Sequence, residues 1–252
     1  MSVDAASFPE RPAVFLDFDG TLVDIAPTPQ AVHVPDSLKR TLRELEPRLD
    51  GALALVSGRA LADLDRMFAP HRFAAAGVHG CELREPTGRT AYPPVNEAML
   101  DTARERFAAF ASRHPGVLVE DKGYALALHY RLAADLADDA RAVVDAVLEE
   151  TSDSFDLQLG KCVLELRPSG YSKGSAISAF MEEAPFAGRT PVFIGDDVTD
   201  EDGFRVVNAL GGLSMRVGRT GASEARHRLP DVAAVHRWLD DLLQALPTRT
   251  GA

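Results

Sequence analysis

The stretch that decides the fold is Val14-Phe15-Leu16-Asp17-Phe18-Asp19-Gly20-Thr21-Leu22, close to the start of the chain. Its apolar lead-in, which begins at Ala13, predicts a buried β-strand that ends at the two aspartates. Because side chains at i and i+2 of a strand point to the same side, Asp17 and Asp19 are expected to enter one small space. Two carboxylates buried that closely need a bound cation, or one of them must hold a proton. The pattern therefore indicates a divalent metal site, an acid/base role for one aspartate, or both.

Gly20 and Thr21 follow the two aspartates directly. A turn at this glycine presents free backbone N–H groups, which suit a phosphate oxygen. The alternative is a solvated Asp-x-Asp-Gly turn that binds nothing. Further acidic and basic residues downstream weigh against that alternative.

A second acidic strand end lies late in the chain. The apolar run Pro191-Val192-Phe193-Ile194-Gly195 predicts a buried parallel strand, and Asp196-Asp197-Val198-Thr199-Asp200-Glu201-Asp202 follows it. Oxygen ligands at this density suit Mg²⁺, which binds through one or two carboxylates and takes phosphate oxygens as further ligands. Acidic residues also favour a helix N-terminus, and this interpretation is preferred for Glu201 and Asp202. Asp196 is the predicted metal ligand.

Two further elements carry groups suited to an anion. Leu53-Ala54-Leu55-Val56 predicts another short buried strand, and Ser57-Gly58-Arg59 and an amphipathic helix come after it. A hydroxyl and backbone amides at such a junction can hold an anion, although a serine there is at least as often an ordinary helix N-cap. Lys173 begins a later helix, and beside buried carboxylates and a phosphate its ammonium group would balance their charge.

The order of these residues matches the four motifs of the haloacid dehalogenase superfamily of phosphatases, which the chain resembles. The sequence in and around the motifs, from about residue 13 to about residue 219, is similar to that of the trehalose-6-phosphate phosphatases within this superfamily. The stretches that carry this closer resemblance are Val56-Ser57-Gly58-Arg59, Gly77-Val78-His79-Gly80, Glu120-Asp121-Lys122-Gly123, His129-Tyr130-Arg131, Gly160-Lys161, Leu164-Glu165-Leu166-Arg167-Pro168 and Gly195-Asp196-Asp197-Val198-Thr199-Asp200-Glu201.

The order of predicted elements divides the chain into a core and an insert. From residue 13 to about residue 83, short apolar runs alternate with amphipathic helices. This βαβ pattern predicts a parallel sheet that binds its ligand at the carboxyl ends of the strands. Residues 86–168 instead predict two hairpins and two helices, which make a small α+β unit.

The resemblance predicts the fold of the core and the role of the insert. It implies an α/β fold with a Rossmann-like haloacid dehalogenase core, and it identifies the insert as a cap domain, a mobile lid that sets substrate specificity. The expected boundaries are 13–85 and 169–246 for the core, 86–168 for the cap, and 1–12 and 247–252 for two tails.

The resemblance also implies how a phosphate group is removed. Mg²⁺ is expected to bind Asp17, the backbone carbonyl of Asp19, and Asp196, while the Asp17 carboxylate attacks phosphorus and becomes an aspartyl-phosphate. Asp19 first protonates the departing sugar oxygen and then takes a proton from the attacking water. Ser57 and Lys173 complete the predicted catalytic set by holding the transferring group. Either Asp197 or Asp200 is expected to support the metal through water or to position Lys173, and the sequence leaves this choice open.

The predicted substrate-binding residues form a phosphate group and a sugar group. Those expected to contact the phosphate are Gly20, Thr21, Ser57, Gly58, Arg59 and Lys173. The resemblance assigns sugar contacts to Glu120, Lys122 and Glu165, whose charged groups can hydrogen-bond the hydroxyls of a disaccharide. The alternative for these three residues is a surface salt bridge. Arg131 and Arg167 are weaker candidates for substrate binding. His79 and His129 are interpreted as hydrogen-bonded structural residues, because a Mg²⁺ site does not require imidazole ligands.

Composition limits the classes of partner. The chain has 252 residues, is 46% hydrophobic and carries a formal net charge of -11, which argues against nucleic acid and anionic membranes. Cys81 and Cys162 lie far apart and are interpreted as reduced, core-packed thiols of a cytoplasmic protein. No leader or membrane-spanning stretch is predicted.

The leading functional hypothesis is Mg²⁺-dependent hydrolysis of trehalose 6-phosphate by a monomer that is functionally coupled to a trehalose-6-phosphate synthase. The alternative enzyme is another capped phosphatase, acting on sucrose phosphate, a glucosylglycerol-type phosphate or a hexose phosphate. A regulatory pseudophosphatase is the alternative from a different class. The complete acid set of Asp17, Asp19 and Asp196 weighs against it, because a silent protein has no use for the second aspartate.

Overall fold

The computed structural model describes residues 8–26, 28, 31–151, 154–160, 162–218 and 221–247. Most of the two predicted tails, residues 1–7 and 248–252, and Lys161 of the predicted second hairpin lie outside the described residues. The chain divides into two compact units. We call residues up to Ala91 and from Ser172 onward the core unit, and Tyr92–Tyr171 the inserted unit. Sequence placed these boundaries at residues 85/86 and 168/169.

Twelve strands and seven α-helices are found in the described part of the chain, together with short 3₁₀ turns. The strands are β1 (Pro12–Leu16), β2 (Leu53–Val56), β3 (Ala74–Gly77), β4 (Glu82–Arg84), β5 (Thr90–Ala91), β6 (Leu118–Asp121), β7 (Leu126–His129), β8 (Phe155–Gly160), β9 (Val163–Pro168), β10 (Thr190–Gly195), β11 (Leu213–Val217) and β12 (His227–Leu229). The helices are α1 (Asp36–Arg48), α2 (Leu61–Phe68), α3 (Glu97–Arg113), α4 (Ala137–Thr151), α5 (Lys173–Glu182), α6 (Glu201–Ala209) and α7 (Val232–Ala245).

The core unit contains an eight-stranded sheet in the order β12-β11-β10-β1-β2-β3-β4-β5. The six strands from β12 to β3 run parallel, which confirms the predicted α/β fold. At one edge, β4 and β5 continue the sheet in antiparallel fashion. Sequence missed this extension because two strands of three and two residues carry too short a pattern to be recognised.

Helices cover both faces of the core sheet, as the side chains of β1, which point alternately to the two faces, show. Val14 and Leu16 point into an apolar cluster that contains residues of α1, α2 and α7. Ala13 and Phe15 point into a second cluster that contains residues of α5 and α6. Because both faces are covered, every residue of β1 is buried. This three-layer packing fixes the carboxyl ends of the central strands, where the acidic residues begin.

The inserted unit has its own sheet and its own core. Its four antiparallel strands follow the order β6-β7-β9-β8. Leu126 and Leu128 of β7 and Leu164 and Leu166 of β9 pack with residues of α3 and α4. The opposite face of this sheet carries polar side chains, since neighbouring residues along a strand point to opposite sides.

The two cysteines differ in their surroundings. Cys81 is buried as expected, whereas Cys162 is only partly buried. Its φ of 60° places it in the left-handed region, just before β9. The expectation of a core-packed thiol is therefore wrong for Cys162, because a turn residue is not covered by helices. Among the residues that the structure describes, no helix combines the length and apolar composition needed to cross a membrane.

Candidate active site

Asp17 lies where the central strands β1 and β10 end side by side. Leu16 pairs with Ile194 in the parallel register, and the backbone N–H of Asp17 donates to the Ile194 carbonyl at 2.9 Å. The Asp17 carboxylate is buried, and each of its oxygens accepts a hydrogen bond from a described residue. Thr21 Oγ1 donates to Oδ2 at 2.9 Å, and Lys173 Nζ donates to Oδ1 at 2.7 Å. These two donors fix the orientation of the carboxylate and leave each oxygen a second lone pair.

Lys173 bridges Asp17 and Asp200. Its Nζ lies 2.6 Å from Asp200 Oδ1, and both side chains are almost fully excluded from solvent. The other oxygen of Asp200 accepts the backbone N–H groups of Asp196 and Asp197, each at 2.9 Å. Burial alone would lower the pKa of the Lys173 ammonium group, but the two carboxylates outweigh this and raise it. Lys173 is therefore a permanent cation in this cluster.

Three carboxylates form a compact acidic group in the part of the chain described. Asp17, Asp196 and Asp200 each offer an oxygen within 4.8 Å of the others. Burial raises the pKa of Asp17 to about 6, against the opposing effect of Lys173. Burial, assisted by Asp200 and Asp197, raises the pKa of Asp196 to about 6. Burial also raises the pKa of Asp200 to about 7.

Asp19 does not join this acidic group. Its two oxygens accept a fork of hydrogen bonds from Arg59, with Nε to Oδ2 at 2.6 Å and Nη2 to Oδ1 at 2.7 Å. The Arg59 guanidinium group also lies over the ring of Phe18, 5.4 Å from its centre. The structure therefore brings together two of the residues predicted for this site, Asp19 and Arg59, in one ion pair.

Ser57 sits in a tight loop between β2 and α2. Its hydroxyl accepts the backbone N–H of Arg59 at 3.1 Å, and its carbonyl accepts the backbone N–H of His79 at 2.9 Å. The helix begins only at Leu61, so Ser57 is not the helix N-cap that sequence offered as an alternative. Gly58 has no room for a side chain, since a Cβ atom there would lie 2.6 Å from the His79 ring.

Two glycines allow the acidic strand ends to approach each other. Gly20 has a φ of 80°, and a Cβ atom on it would lie 2.2 Å from Asp196 Oδ2. A Cβ atom on Gly195 would lie 2.3 Å from Asp200 Cγ. Glycine is required at both positions because any side chain would displace a carboxylate of the acidic group.

The residues predicted to contact sugar lie on the polar face of the inserted unit. Glu120 pairs with Ala127, and Ala127 pairs in turn with Glu165, so all three lie in one row across the sheet. Lys122 Nζ donates to Glu165 Oε1 at 2.9 Å, and Glu120 Oε2 lies 3.0 Å from His129 Nε2. This hydrogen bond from the imidazole is the main reason that the pKa of Glu120 is lowered.

Sequence reasoning left two of these neighbours without a site role. His129 was interpreted as a hydrogen-bonded structural residue, and the structure gives it a hydrogen bond to Glu120. Gln158 of β8, which the sequence did not single out, pairs with Glu165 in the same row. Strand register could have found His129, because the predicted hairpin places it diagonally across from Glu120. Of the two candidates left open, Asp200 contacts Lys173, whereas the exposed Asp197 uses its side chain to cap the turn at Val198.

Comparison with known proteins gives a consistent result. The profile of the trehalose-phosphatase family matches residues 15–232. The trehalose-6-phosphate phosphatase of Escherichia coli (strain K12) is 47% identical over 234 residues, which cover 93% of this chain and 87% of that protein. A probable trehalose-phosphate phosphatase of Sinorhizobium fredii is 46% identical over 224 residues, covering 88% and 84%. A solved structure of a trehalose-6-phosphate phosphatase related protein has a TM-score of 0.75 and 27% identity, over 92% of this chain and 96% of that one.

Proposed function

The chain belongs to the trehalose-phosphatase family, and we propose that it hydrolyses trehalose 6-phosphate to trehalose and inorganic phosphate, with Mg²⁺ as cofactor. The observation that carries this proposal is the position of Lys173 between Asp17 and Asp200, next to Asp196, at the carboxyl ends of the central strands. This cluster would combine a nucleophilic carboxylate, its counter-cation and a cation site.

The acidic group fits a divalent cation. Three carboxylate oxygens within 4.8 Å of one another supply the hard ligands that Mg²⁺ prefers. Their raised pKa values show that burial disfavours their charge, and a cation would offset this cost. Asp17, Asp196 and the backbone carbonyl of Asp19 would hold the ion, and Asp200 would position Lys173. Bound there, Mg²⁺ would neutralise and orient the phosphate oxygens.

Asp17 is the proposed nucleophile. With a pKa of about 6 it is mostly ionised at neutral pH, and its carboxylate is held by Thr21 and Lys173. An Asp17 oxygen attacks phosphorus, the bond between phosphorus and the sugar oxygen breaks, and an aspartyl-phosphate forms. The Lys173 ammonium group and the loop of Ser57 would stabilise the charge of the transferring group.

Asp19 is the proposed acid and base. It gives its proton to the departing sugar oxygen and later removes a proton from the water that attacks the aspartyl-phosphate. Hydrolysis then restores the Asp17 carboxylate and releases inorganic phosphate. The protein as a whole is thereby returned to its starting state.

Sugar recognition is assigned to the inserted unit. Glu120, Lys122 and Glu165 present two carboxylates and one ammonium group along the polar face, and His129 extends this set. Such groups match the hydroxyls of a disaccharide, which both donate and accept hydrogen bonds. The monomeric state and the functional coupling to a synthase stay predictions of the sequence.

A substrate panel tests the proposed activity. Phosphate release should require Mg²⁺, stop on chelation, and show a kcat/KM for trehalose 6-phosphate at least about tenfold above the values for sucrose phosphate, glucosylglycerol phosphate and glucose 6-phosphate. Asp17→Asn is the control for specific catalysis, since the amide keeps the shape but is a poor nucleophile. A higher kcat/KM for another sugar phosphate would overturn the substrate assignment, and no turnover at all would favour the silent regulatory protein.

A second comparison tests the sugar contacts. Lys122→Ala should lower kcat/KM for trehalose 6-phosphate by about 10- to 100-fold, because a charge-assisted hydrogen bond contributes roughly 1.5 to 3 kcal/mol. Turnover of p-nitrophenyl phosphate should stay nearly unchanged, since this compound has no sugar. The matched control is Arg106→Ala, which breaks an ion pair with Glu150 between α3 and α4 and should affect neither substrate. Equal losses on both substrates in Lys122→Ala would reduce its role to bracing the inserted unit.

A further inference from the structure

The ion pair between Arg59 and Asp19 joins two residues for which the sequence predicted separate tasks. Sequence grouped Arg59 with Ser57 and Gly58 as a phosphate-binding loop. In the structure, Nε and Nη2 of Arg59 both donate to Asp19, at 2.6 Å and 2.7 Å. A planar fork that grips both oxygens of a carboxylate fixes its torsion angle as well as its position.

Arg59 is itself held in place from three sides. Its backbone N–H donates to Ser57 Oγ at 3.1 Å, and its carbonyl accepts the backbone N–H of Val78 at 3.0 Å. Its guanidinium group lies over the ring of Phe18. Phe18 is fully buried and lies between Asp17 and Asp19 in the sequence. The side chain is only 11% exposed. Arg59 is thus a rigid support, unlike a mobile surface cation.

Asp19 needs such a support more than its neighbour Asp17 does. Its side chain is 36% exposed, whereas that of Asp17 is 4% exposed and is held by Thr21 and Lys173. Within the described part of the chain, the hydrogen bonds to the Asp19 carboxylate come from Arg59. An acid/base group must stay within hydrogen-bond reach of the reacting oxygen, and a freely rotating carboxylate spends little time there.

We propose that Arg59 is a positioning residue, which holds the Asp19 carboxylate by both oxygens and so aligns the acid/base group of the reaction. This inference rests on the proposed function. When Asp19 carries the proton for the sugar oxygen, one bond of the fork is given up and the other keeps the carboxyl group in place. Arg59 therefore acts through Asp19, and its contribution is distinct from binding the phosphate.

The test compares substrates with poor and good leaving groups in Arg59→Lys, which keeps the charge and loses the fork. Proton donation matters for a sugar oxygen and little for p-nitrophenolate. We expect kcat/KM to fall about 100-fold for trehalose 6-phosphate and less than about fivefold for p-nitrophenyl phosphate, given the usual size of acid catalysis. The inhibition constant of inorganic phosphate should stay within about threefold of the wild-type value. Equal losses on both substrates with weaker phosphate inhibition would make Arg59 a phosphate ligand and overturn the inference.

A double-mutant cycle separates positioning from a general structural role. With p-nitrophenyl phosphate, Asp19→Asn and Arg59→Lys should each lower kcat and cause phosphorylated Asp17 to accumulate, as seen by mass spectrometry of the quenched protein. Adding Arg59→Lys to the Asp19→Asn variant should lower kcat by less than about twofold further, because the two residues act as one unit. A full additive loss would contradict the inference.

The controls keep the outcomes distinct. Arg189→Lys removes another largely buried fork, which holds Asp50 and the Pro185 carbonyl at the opposite end of β10, and it should leave all kinetic constants unchanged. Thermal unfolding of each variant identifies any loss of folded protein. If the wild-type protein prefers another sugar phosphate, the proposed function fails, and the same comparison with that substrate still decides the role of Arg59.

Discussion

Mg²⁺ affinity should depend steeply on pH between pH 5 and pH 7. Asp17 and Asp196, the two carboxylates proposed to hold the ion, have pKa values raised to about 6 because they are buried together. A metal ligand must be ionised, so protons compete with Mg²⁺ at this site. Acidification by two units is therefore a perturbation that acts on the metal site while leaving most surface carboxylates charged.

The size of the effect follows from these two values. A carboxyl group with a pKa of 6 is about 90% ionised at pH 7 and about 10% ionised at pH 5. If both ligands must be ionised, the dissociation constant for Mg²⁺ should rise by roughly 100-fold, or about 2.7 kcal/mol. Asp200, with its pKa raised to about 7, should extend the decline towards neutral pH.

Isothermal titration calorimetry at several pH values measures this dependence. Repeating the titration at pH 6 in buffers of different ionisation enthalpy counts the protons released, and we expect about one or more per ion bound. Asp196→Asn is the informative variant, because removing one titrating ligand should weaken binding at pH 7 and flatten the pH dependence. A dissociation constant that changes less than about threefold between pH 5 and pH 7 would refute the reasoning.

The same raised pKa values give the sign of a stability effect. In the metal-free protein the folded state holds protons that the unfolded chain has already lost, so stability is present at low pH and is lost as pH rises through about 6 to 7. The lowered pKa values of Glu120 and Asp121 act only below this window. Metal-free protein should therefore melt at a higher temperature at pH 5.5 than at pH 7.5, and Mg²⁺ should reverse the order. Calorimetry that shows the opposite order without metal would contradict this account.

Three further predictions concern the same cluster. Asp200→Ala should lower kcat by about 100-fold or more, because Lys173 loses its second partner. Asp197→Ala removes only a helix cap, so it should lower stability by about 1 kcal/mol and keep near-normal turnover. Equal kinetics in the two variants would show that the contact between Asp200 and Lys173 is unimportant. Gly20→Ala should abolish Mg²⁺-dependent turnover, since its Cβ atom would overlap Asp196 and its φ is positive, and normal activity would mean that the strand end can move. Inorganic phosphate should not bind the metal-free protein in a calorimetric titration, because three carboxylates face one ammonium group there; micromolar binding would contradict this.

Sequence could predict the strand ends but not the partners of every charged side chain. The positions of Asp17 and Asp196 follow from the strand pattern and from parallel pairing, which brings the ends of β1 and β10 together. The choice between Asp197 and Asp200 did not follow, because both belong to one short turn of 3₁₀ helix whose direction depends on packing. Only the folded chain shows that Asp200 turns inward to Lys173 while Asp197 stays exposed.

Arg59 illustrates the same limit in another way. A basic residue after Ser57-Gly58 is as compatible with binding a phosphate as with pairing to an acid, and sequence has no means to rank the two. The deciding contact joins residues 40 positions apart and depends on Phe18 filling the space beneath the guanidinium group. Local patterns therefore predict which groups gather at the site, whereas tertiary packing decides which of them pair.

The pairing of charges explains how a chain with a net charge of -11 can still serve an anionic substrate. Lys173 is committed to Asp17 and Asp200, and Arg59 is committed to Asp19, so these cations mainly organise the carboxylates around them. Little positive charge from these two residues is left over to attract a phosphate dianion. The attraction must then come from the ion held by the acidic group, which makes metal binding a precondition for substrate binding as well as for chemistry. In this arrangement the protein's own cations set geometry, and the bound metal supplies the charge.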